Sequence, residues 1–156
     1  MAHANKILLQ RLFTSLDRHD RTTMAGCYDS AAKFTDIAFD LKNGKEIHAI
    51  WHMICEGDIR TTFDVVHADD HTAEVNVIDD YTFSSTGRKV HNVIQSRFQF
   101  QDGVIVEHHD FCDPRAWAAM ALGGVGGWLT GKFHFLRKNA ARKKLKVFVA
   151  RHPEYR

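Results

Sequence analysis

The segment RKVHNVIQSRFQFQDGVIVEHHDF, residues 88–111, decides the fold class. Its first half alternates. Val90, Asn92, Ile94, Ser96, Phe98 and Phe100 fall on one side of an extended chain, with more polar residues between them. Gln101, Asp102 and Gly103 supply a short turn signal, and residues 104–111 resume the extended pattern, so the segment predicts an antiparallel hairpin. The second strand ends unusually: His108, His109 and Asp110 stand in a row where an apolar face should continue. Val104, Val106, His108 and Asp110 share one face, and Ile105, Glu107, His109 and Phe111 the other. Glu107 favours the first set as inner. His108 and Asp110 are then expected inside, and His109 and Ile105 outside.

Upstream, residues 60–68 (RTTFDVVHA) and 72–84 (TAEVNVIDDYTFS) read as two more strands joined by short turns, giving a four-stranded antiparallel meander. In the second of these, Ala73, Val75, Val77, Asp79, Tyr81 and Phe83 share the apolar side, which places Asp79 inside and Asp80 outside. Before Gly57 the period is helical. Leu8, Leu12 and Leu16, flanked by Leu9 and Phe13, predict a first helix. Asp20 caps a short second helix expected to run through Met24, Cys27 and Tyr28. Residues 32–36 (AKFTD) form a short strand ending at Asp36. Gly44 precedes a third helix with the stripe Ile47, Ile50, Trp51 and Ile54. Three helices followed by a meander is an α+β pattern in which the helices cover one face of the sheet.

Beyond the meander, Gly123, Gly124, Gly126 and Gly127 lie between Trp117 and Trp128, a composition that disfavours helix. A basic helix is expected from about residue 133 to 150. The whole chain, 1–156, reads as one domain, with a core at 5–118 and a glycine-rich lid plus basic helix at 119–156. Residues 131–156 hold nine Lys/Arg against Glu154 as the single acid, whereas the body is net acidic. A nucleic acid partner for this tail ranks below a solvated or docked helix face, because aromatic residues are sparse in it. Cys27, Cys55 and Cys112 are odd in number and widely spaced, which argues against a disulfide framework and for a reducing, cytoplasmic setting. Arg11 interrupts the apolar start, so no signal-peptide core is expected, and no run approaches the ~20 apolar residues that cross a bilayer. No motif calls for a cofactor. His108 and Asp110 with Asp36 or Asp79 could gather around a metal, but no HxxxH or CxxC spacing supports one, and no metal is expected.

Polar atoms on several neighbouring strands of an apolar face suggest a pocket. A buried carboxylate must find donors or raise its pKa, and a raised carboxyl pKa suits acid–base chemistry near neutral pH. The bland alternative is that each aspartate caps a turn or pairs with an arginine.

The ordered segments 13–36, 44–51 and 81–113 resemble the SnoaL-like branch of the NTF2-like superfamily over roughly residues 5–118. The resemblance implies a cone of curved antiparallel sheet wrapped by three N-terminal helices, here with an extra C-terminal helix. It also implies a deep pocket and a homodimer formed through the outer sheet face, where Val93 and Ile105 are expected. Relatives include ketosteroid isomerase, limonene epoxide hydrolase, polyketide cyclases, dehydratases and binding modules that do no chemistry. Similarity to ketosteroid isomerase places the general base at Asp36, with its two oxyanion donors falling at Leu12 and Ser96. Similarity to the epoxide hydrolase places the water-activating aspartate at Asp110 and the proton donor at Asp79. Its bridging arginine then falls at Val77, and its water-holding pair at Phe34 and Asp36. SnoaL-type cyclases again point to Asp110.

The resulting expectation is an enzyme for a small apolar molecule: isomerase, cyclase or epoxide hydrolase-like. Asp110 is the principal acid/base, His108 its partner, and Asp36 and Asp79 the supporting carboxyl groups. Leu12, Phe34, Trp51, Val77, Tyr81, Asn92, Ile94, Ser96 and Phe98 line the pocket, with Trp117 at its lid. The competing expectation is a carrier of the same shape that leaves its ligand unchanged.

Overall fold

The computed structural model describes residues 1–125, 127, 129 and 134–156. Helix α1 (Ala4–Asp17) buries Leu9, Leu12, Phe13 and Leu16, one stripe at helical spacing. Helix α2 (Arg21–Ala25) is capped by Asp20, whose carboxylate accepts from Thr23 N at 3.1 Å. It ends earlier than its sequence suggests. Tyr28 opens strand β1 (Tyr28–Thr35), with Tyr28, Ala32 and Phe34 buried, so the strand begins before the expected residue 32. Burial of the phenol against the sheet overrides local helical spacing here.

A two-residue strand β2 (Asp40–Leu41) pairs with the end of β1 and leads into α3 (Gly44–Cys55). Asn43 caps α3 by accepting from Glu46 N at 3.0 Å. Gly44 is the first residue of α3, because a Cβ there would meet Asp29 O at 3.0 Å and Ser30 Cα at 3.2 Å. Its absence lets the helix start against β1.

Strands β3 (Arg60–Ala68), β4 (Thr72–Phe83), β5 (Arg88–Gln101) and β6 (Val104–Phe111) form the expected antiparallel meander. Asp102 and Gly103, at φ 52° and 78°, make the two-residue β5–β6 turn, whose left-handed residues match the twist of the flanking strands. The full sheet order is β2-β1-β6-β5-β4-β3, and β1 runs parallel to β6 with Phe34 opposite His108. Register shifts interrupt the β1–β6, β3–β4 and β5–β6 ladders. Such bulges bend a sheet and sharpen its twist, and this one is curved.

The β5–β6 bulge corrects one assignment. Gln99 pairs with Glu107 but Phe100 pairs with Ile105, so the strand changes face and Ile105 is fully buried in the core. His108 and Asp110, past the bulge, keep the inner face. The core joins the apolar stripes of α1 and α3 to Ala73, Val75, Val77, Ile94, Phe98 and Phe100 of the sheet.

Asp113 and Pro114 end the sheet and start helix α4 (Pro114–Ala121), where Asp113 accepts from Arg115 N at 2.9 Å. The glycine run expected to resist helix carries helical backbone at Val125, Gly127 and Leu129. A Cβ on Gly127 would sit 2.7 Å from Ala118 O, so glycine permits a close approach that offsets its poor propensity. Trp128 lies outside the described residues. The C-terminal helix α5 (His134–Arg151) buries Arg137, Leu145 and Phe148, which means the basic segment is docked on the body along one face. Among the described residues no helix is long and apolar enough to cross a membrane.

Candidate functional site

The strand ends, the aromatic lining and the bulge together bring four sequence-expected residues into one cluster. His108 is 2% exposed. Its ring lies 4.2 Å from Phe98, 4.8 Å edge-on to Phe34 and 6.2 Å from Trp51, centroid to centroid. The imidazole is thus held in an aromatic box built from β5, β1 and α3. Its two nitrogens are both used: Nδ1 meets the Tyr28 hydroxyl at 2.9 Å, and Nε2 meets Asp110 Oδ1 at 2.7 Å. Ser96, opposite Asp110 across the β5–β6 ladder, donates its hydroxyl to the same oxygen at 2.5 Å. The network is satisfied when Tyr28 O–H donates to Nδ1 and Nε2–H donates to the carboxylate. Burial, followed by the charge of Asp110, drives the Tyr28 phenol well above its ordinary range, which keeps that proton on the oxygen.

Asp79 sits on β4 opposite Thr61 of β3 and Asn92 of β5. Thr61 donates to its Oδ1 at 2.7 Å. One neutral donor does not compensate for burial, which pushes the carboxyl up to about 7; the negative charges of Asp110 and Asp80 add to the rise. Asp36, just past β1, accepts from Ala38 N at 2.7 Å and Phe39 N at 2.6 Å, forming the turn into β2. The turn-capping alternative for Asp36 is therefore met, yet the group remains unusual. Burial outweighs both amides and raises it to about 6, with Asp110 raising it further and His108 opposing. Asp110 acts on both other carboxyl groups, so the three form one electrostatic unit.

Ser96 bonds this unit directly at Asp110, while Phe34, Trp51 and Phe98 pack around its partner His108. Tyr81 receives a 2.7 Å hydrogen bond from the Trp117 indole, tying β4 to α4, and burial lifts its phenol to about 12. Leu12, Val77 and Ile94 belong to the same apolar core. Asn92 pairs with Asp79 across the ladder and bonds the Cys112 thiol, which burial raises to about 11. Arg137 of α5 reaches in from the other side, donating to Ile37 O, and senses the charge of Asp36.

Sequence reasoning missed Tyr28 and Thr61. Tyr28 was hidden by its assignment to α2. Thr61 was legible: it shares a face with Phe63 and Val65 on β3, but a threonine on a strand carries no chemical flag by itself. Two surface depressions, of about 330 and 680 Å³, take in Tyr81 and, in the larger, Val77 and Ile94, but neither is lined by Asp36, Asp79, His108 or Asp110.

Comparison with known proteins fits this architecture. A family model described as SnoaL-like domain matches residues 9–108. No curated protein matches the chain's sequence. Among solved structures, a LEH-like epoxide hydrolase from M. tuberculosis superposes with a TM-score of 0.62 at 14% identity, covering 85% of this chain and 95% of that one. IdmH, a proposed polyketide cyclase from Streptomyces antibioticus, gives 0.62 at 19% identity, with 76% and 98% covered. A computationally designed 17-OHP binder gives 0.61 at 11% identity, with 70% and 92% covered. At these identities the likeness establishes the fold, an NTF2-like cone, and the family model covers well over half of the chain. The chain belongs to the SnoaL-like domain family.

Proposed function

We propose that this protein is an acid–base enzyme acting on a small lipophilic molecule, either adding water to an epoxide or moving a proton beside a carbonyl. The observation that carries the reading is the coupled set Asp36, Asp79 and Asp110 inside an apolar, aromatic shell. Two of its members are raised to about 6 and about 7, the range in which a carboxyl group both gives and takes a proton at neutral pH. Asp110 is the base. Both of its donors, Ser96 and His108, converge on Oδ1, which leaves Oδ2 to take a proton from water or from a carbon acid. Tyr28 holds His108 so that Nε2–H always faces Asp110. Asp79, protonated about half of the time near pH 7, supplies a proton to the oxygen on which negative charge develops. Asp36 stands opposite as a second proton store. The apolar wall of Phe34, Val77, Ile94 and Phe98 excludes water from the charge as it moves. Substrate reaches the cluster when the Trp117–Tyr81 hydrogen bond between α4 and β4 opens.

Two assays separate the branches. Apolar epoxides are incubated in ¹⁸O-water and scored for labelled diol; apolar ketones are incubated in D₂O and scored by NMR for exchange of the protons beside the carbonyl. Asp110→Asn is expected to remove whichever activity is found, by ~100-fold or more, while Asp64→Asn, at an exposed position of β3, retains it. Unchanged turnover in Asp110→Asn overturns the assignment. Tight binding of such molecules with no turnover by the native protein favours the carrier reading, for which the designed binder of the same fold is the parallel. The outer sheet face, where Val66, Val93 and Phe111 are exposed, is the surface we assign to a homodimer; light scattering tests it.

A further inference from the structure

At the far side of α3 from the aromatic box, the chain's last turn returns to the body and makes a second cluster that the proposed chemistry does not use. His52 on α3, 9% exposed, meets His152 and Glu154 from the segment after α5, and one ligand atom from each lies within 4.8 Å of the others. Glu56, one turn beyond His52, adds a second carboxylate. Its Oε1 is 3.5 Å from His52 Nε2 and 4.0 Å from His152 Nε2. Four donors around a tetrahedral zinc ion stand ~3.3 Å apart, given bonds of roughly 2.0–2.1 Å. The observed spacings, from 3.5 and 4.0 Å to as much as 4.8 Å, are wider than that, and Glu154 now lies 3.4 Å from His152 Nδ1 rather than Nε2, so the shell closes when the exposed Glu56 and Glu154 carboxylates rotate inward. Both rings are also fixed in plane: Phe148 stacks on His152 at 4.2 Å and meets His52 edge-on at 5.0 Å.

We propose that His52, His152 and Glu154, with Glu56 as fourth donor, form a binding site for a divalent transition ion, zinc above all. Two imidazoles and two carboxylates are a donor set that suits zinc and discriminates against magnesium and calcium, which prefer all-oxygen shells. One feature opposes the ion in the resting arrangement. Arg21 Nη1 donates to His52 Nδ1 at 2.8 Å, which puts the imidazole proton on Nε2, the nitrogen that faces Glu56. The remedy is built in. The Tyr155 oxygen lies 3.0 Å from the same Nδ1, and Arg21 already donates to that oxygen at 2.8 Å. Moving the proton from Nε2 to Nδ1 lets Tyr155 accept it while exposed Arg21 keeps its bond to the tyrosine. Nε2 is then free for the metal, and Tyr155 becomes the outer partner that fixes the ligand's tautomer. Occupancy would pin the chain after α5 to α3, the helix that also carries Trp51 of the aromatic box.

The test uses the full chain, stripped with chelator and titrated with ZnCl₂, CoCl₂ or MgCl₂. Expected results are saturable binding of one zinc per chain, a raised Tm with zinc but not magnesium, and visible absorption of the cobalt form in the range of four-coordinate sites. His152→Ala removes all three, Glu154→Gln on the exposed turn weakens them, and Tyr155→Phe lowers affinity by ~10-fold or more. His109→Ala, an exposed histidine elsewhere, changes none, and far-UV circular dichroism confirms that each variant is folded. Zinc binding that is absent, or that survives His152→Ala with Glu154→Gln, overturns the site. The readouts are independent of turnover, so the outcome is separate from that of the catalytic proposal.

Discussion

Asp79→Asn is the perturbation with the most direct physical consequence, because it should make the protein more stable and less active at once. An unfolded aspartate loses its proton near ~3.9, whereas Asp79 in the folded chain holds on to about 7. Between those values the native state carries one more proton than the unfolded state, so its stability falls as pH rises through the window. The stabilisation is complete below pH ~4 and gone above about 7. A shift of roughly three pH units at about 1.4 kcal/mol each sets a ceiling of about 4 kcal/mol; Asp79 keeps partial exposure to solvent, so roughly 2–4 kcal/mol is expected. Asparagine has the same shape, still accepts from Thr61 and never ionises. The stability difference between Asp79→Asn and the native protein should therefore be near zero at pH 4, grow by up to about 1.4 kcal/mol per pH unit, and level off above pH 7. Urea denaturation followed at half-unit intervals from pH 4 to 8.5 measures it. Parallel stability curves for the two proteins across that range would show that Asp79 ionises normally, and the general-acid role would fall with it.

Two further predictions rest on individual contacts. Tyr28→Phe removes the hydroxyl on His108 Nδ1 and leaves a buried ring nitrogen without its partner; the loss is expected to be about 1–3 kcal/mol in urea denaturation, with a drop in whichever activity is found. The thiols of Cys27, Cys55 and Cys112 are all pushed by burial to about 11. At pH 8 they should react slowly with a disulfide reagent in the folded protein and at the ordinary rate once denaturant is added. Fast labelling of the folded chain at Cys112 would mean that the cluster beside it is open to solvent.

The meander and its inner face were legible because period-two alternation runs unbroken through β4 and most of β5, and the Asp-Gly turn sets their pairing with β6. Asp79 could be placed inside for the same reason, and His108 and Asp110 because Glu107 marks the opposite face of β6 as outer. Alternation fails at a bulge: one extra residue near Val106 moves Ile105 to the core, and nothing in the local composition announces it. Tyr28 was missed through a different ambiguity. A tyrosine four residues past Met24 fits a helix as well as a strand, and only its burial against β6 decides. Asp36 was seen as a polar group at a strand end; that it both closes a turn and stays poorly solvated depends on long-range packing. The His52–His152 cluster brings together residues a hundred positions apart, and no spacing rule reaches that far.

The position at which similarity to the epoxide hydrolase expects a bridging arginine holds Val77, 2% exposed and purely apolar. An arginine there would stabilise ionised forms of Asp79 and Asp110 and pull their proton affinities down. With valine, nothing at this position offsets the burial that chiefly raises Asp36 and Asp79 to about 6 and 7, with the charge of Asp110 adding to the rise. The substitution thus changes the resting state of the site rather than dismantling it. Under the proposed reading, the cone holds a proton on Asp79 near neutral pH beside the Asp110 carboxylate, whose hydrogen-bond donors already occupy one oxygen. Such a site is suited to reactions in which an oxygen must be protonated early, and less suited to ones that need a strongly basic carboxylate throughout. The same burial that holds this proton near neutral pH makes ionised Asp79 a cost to stability above it, so a variant that restores a cation beside Asp79 should diminish both effects together.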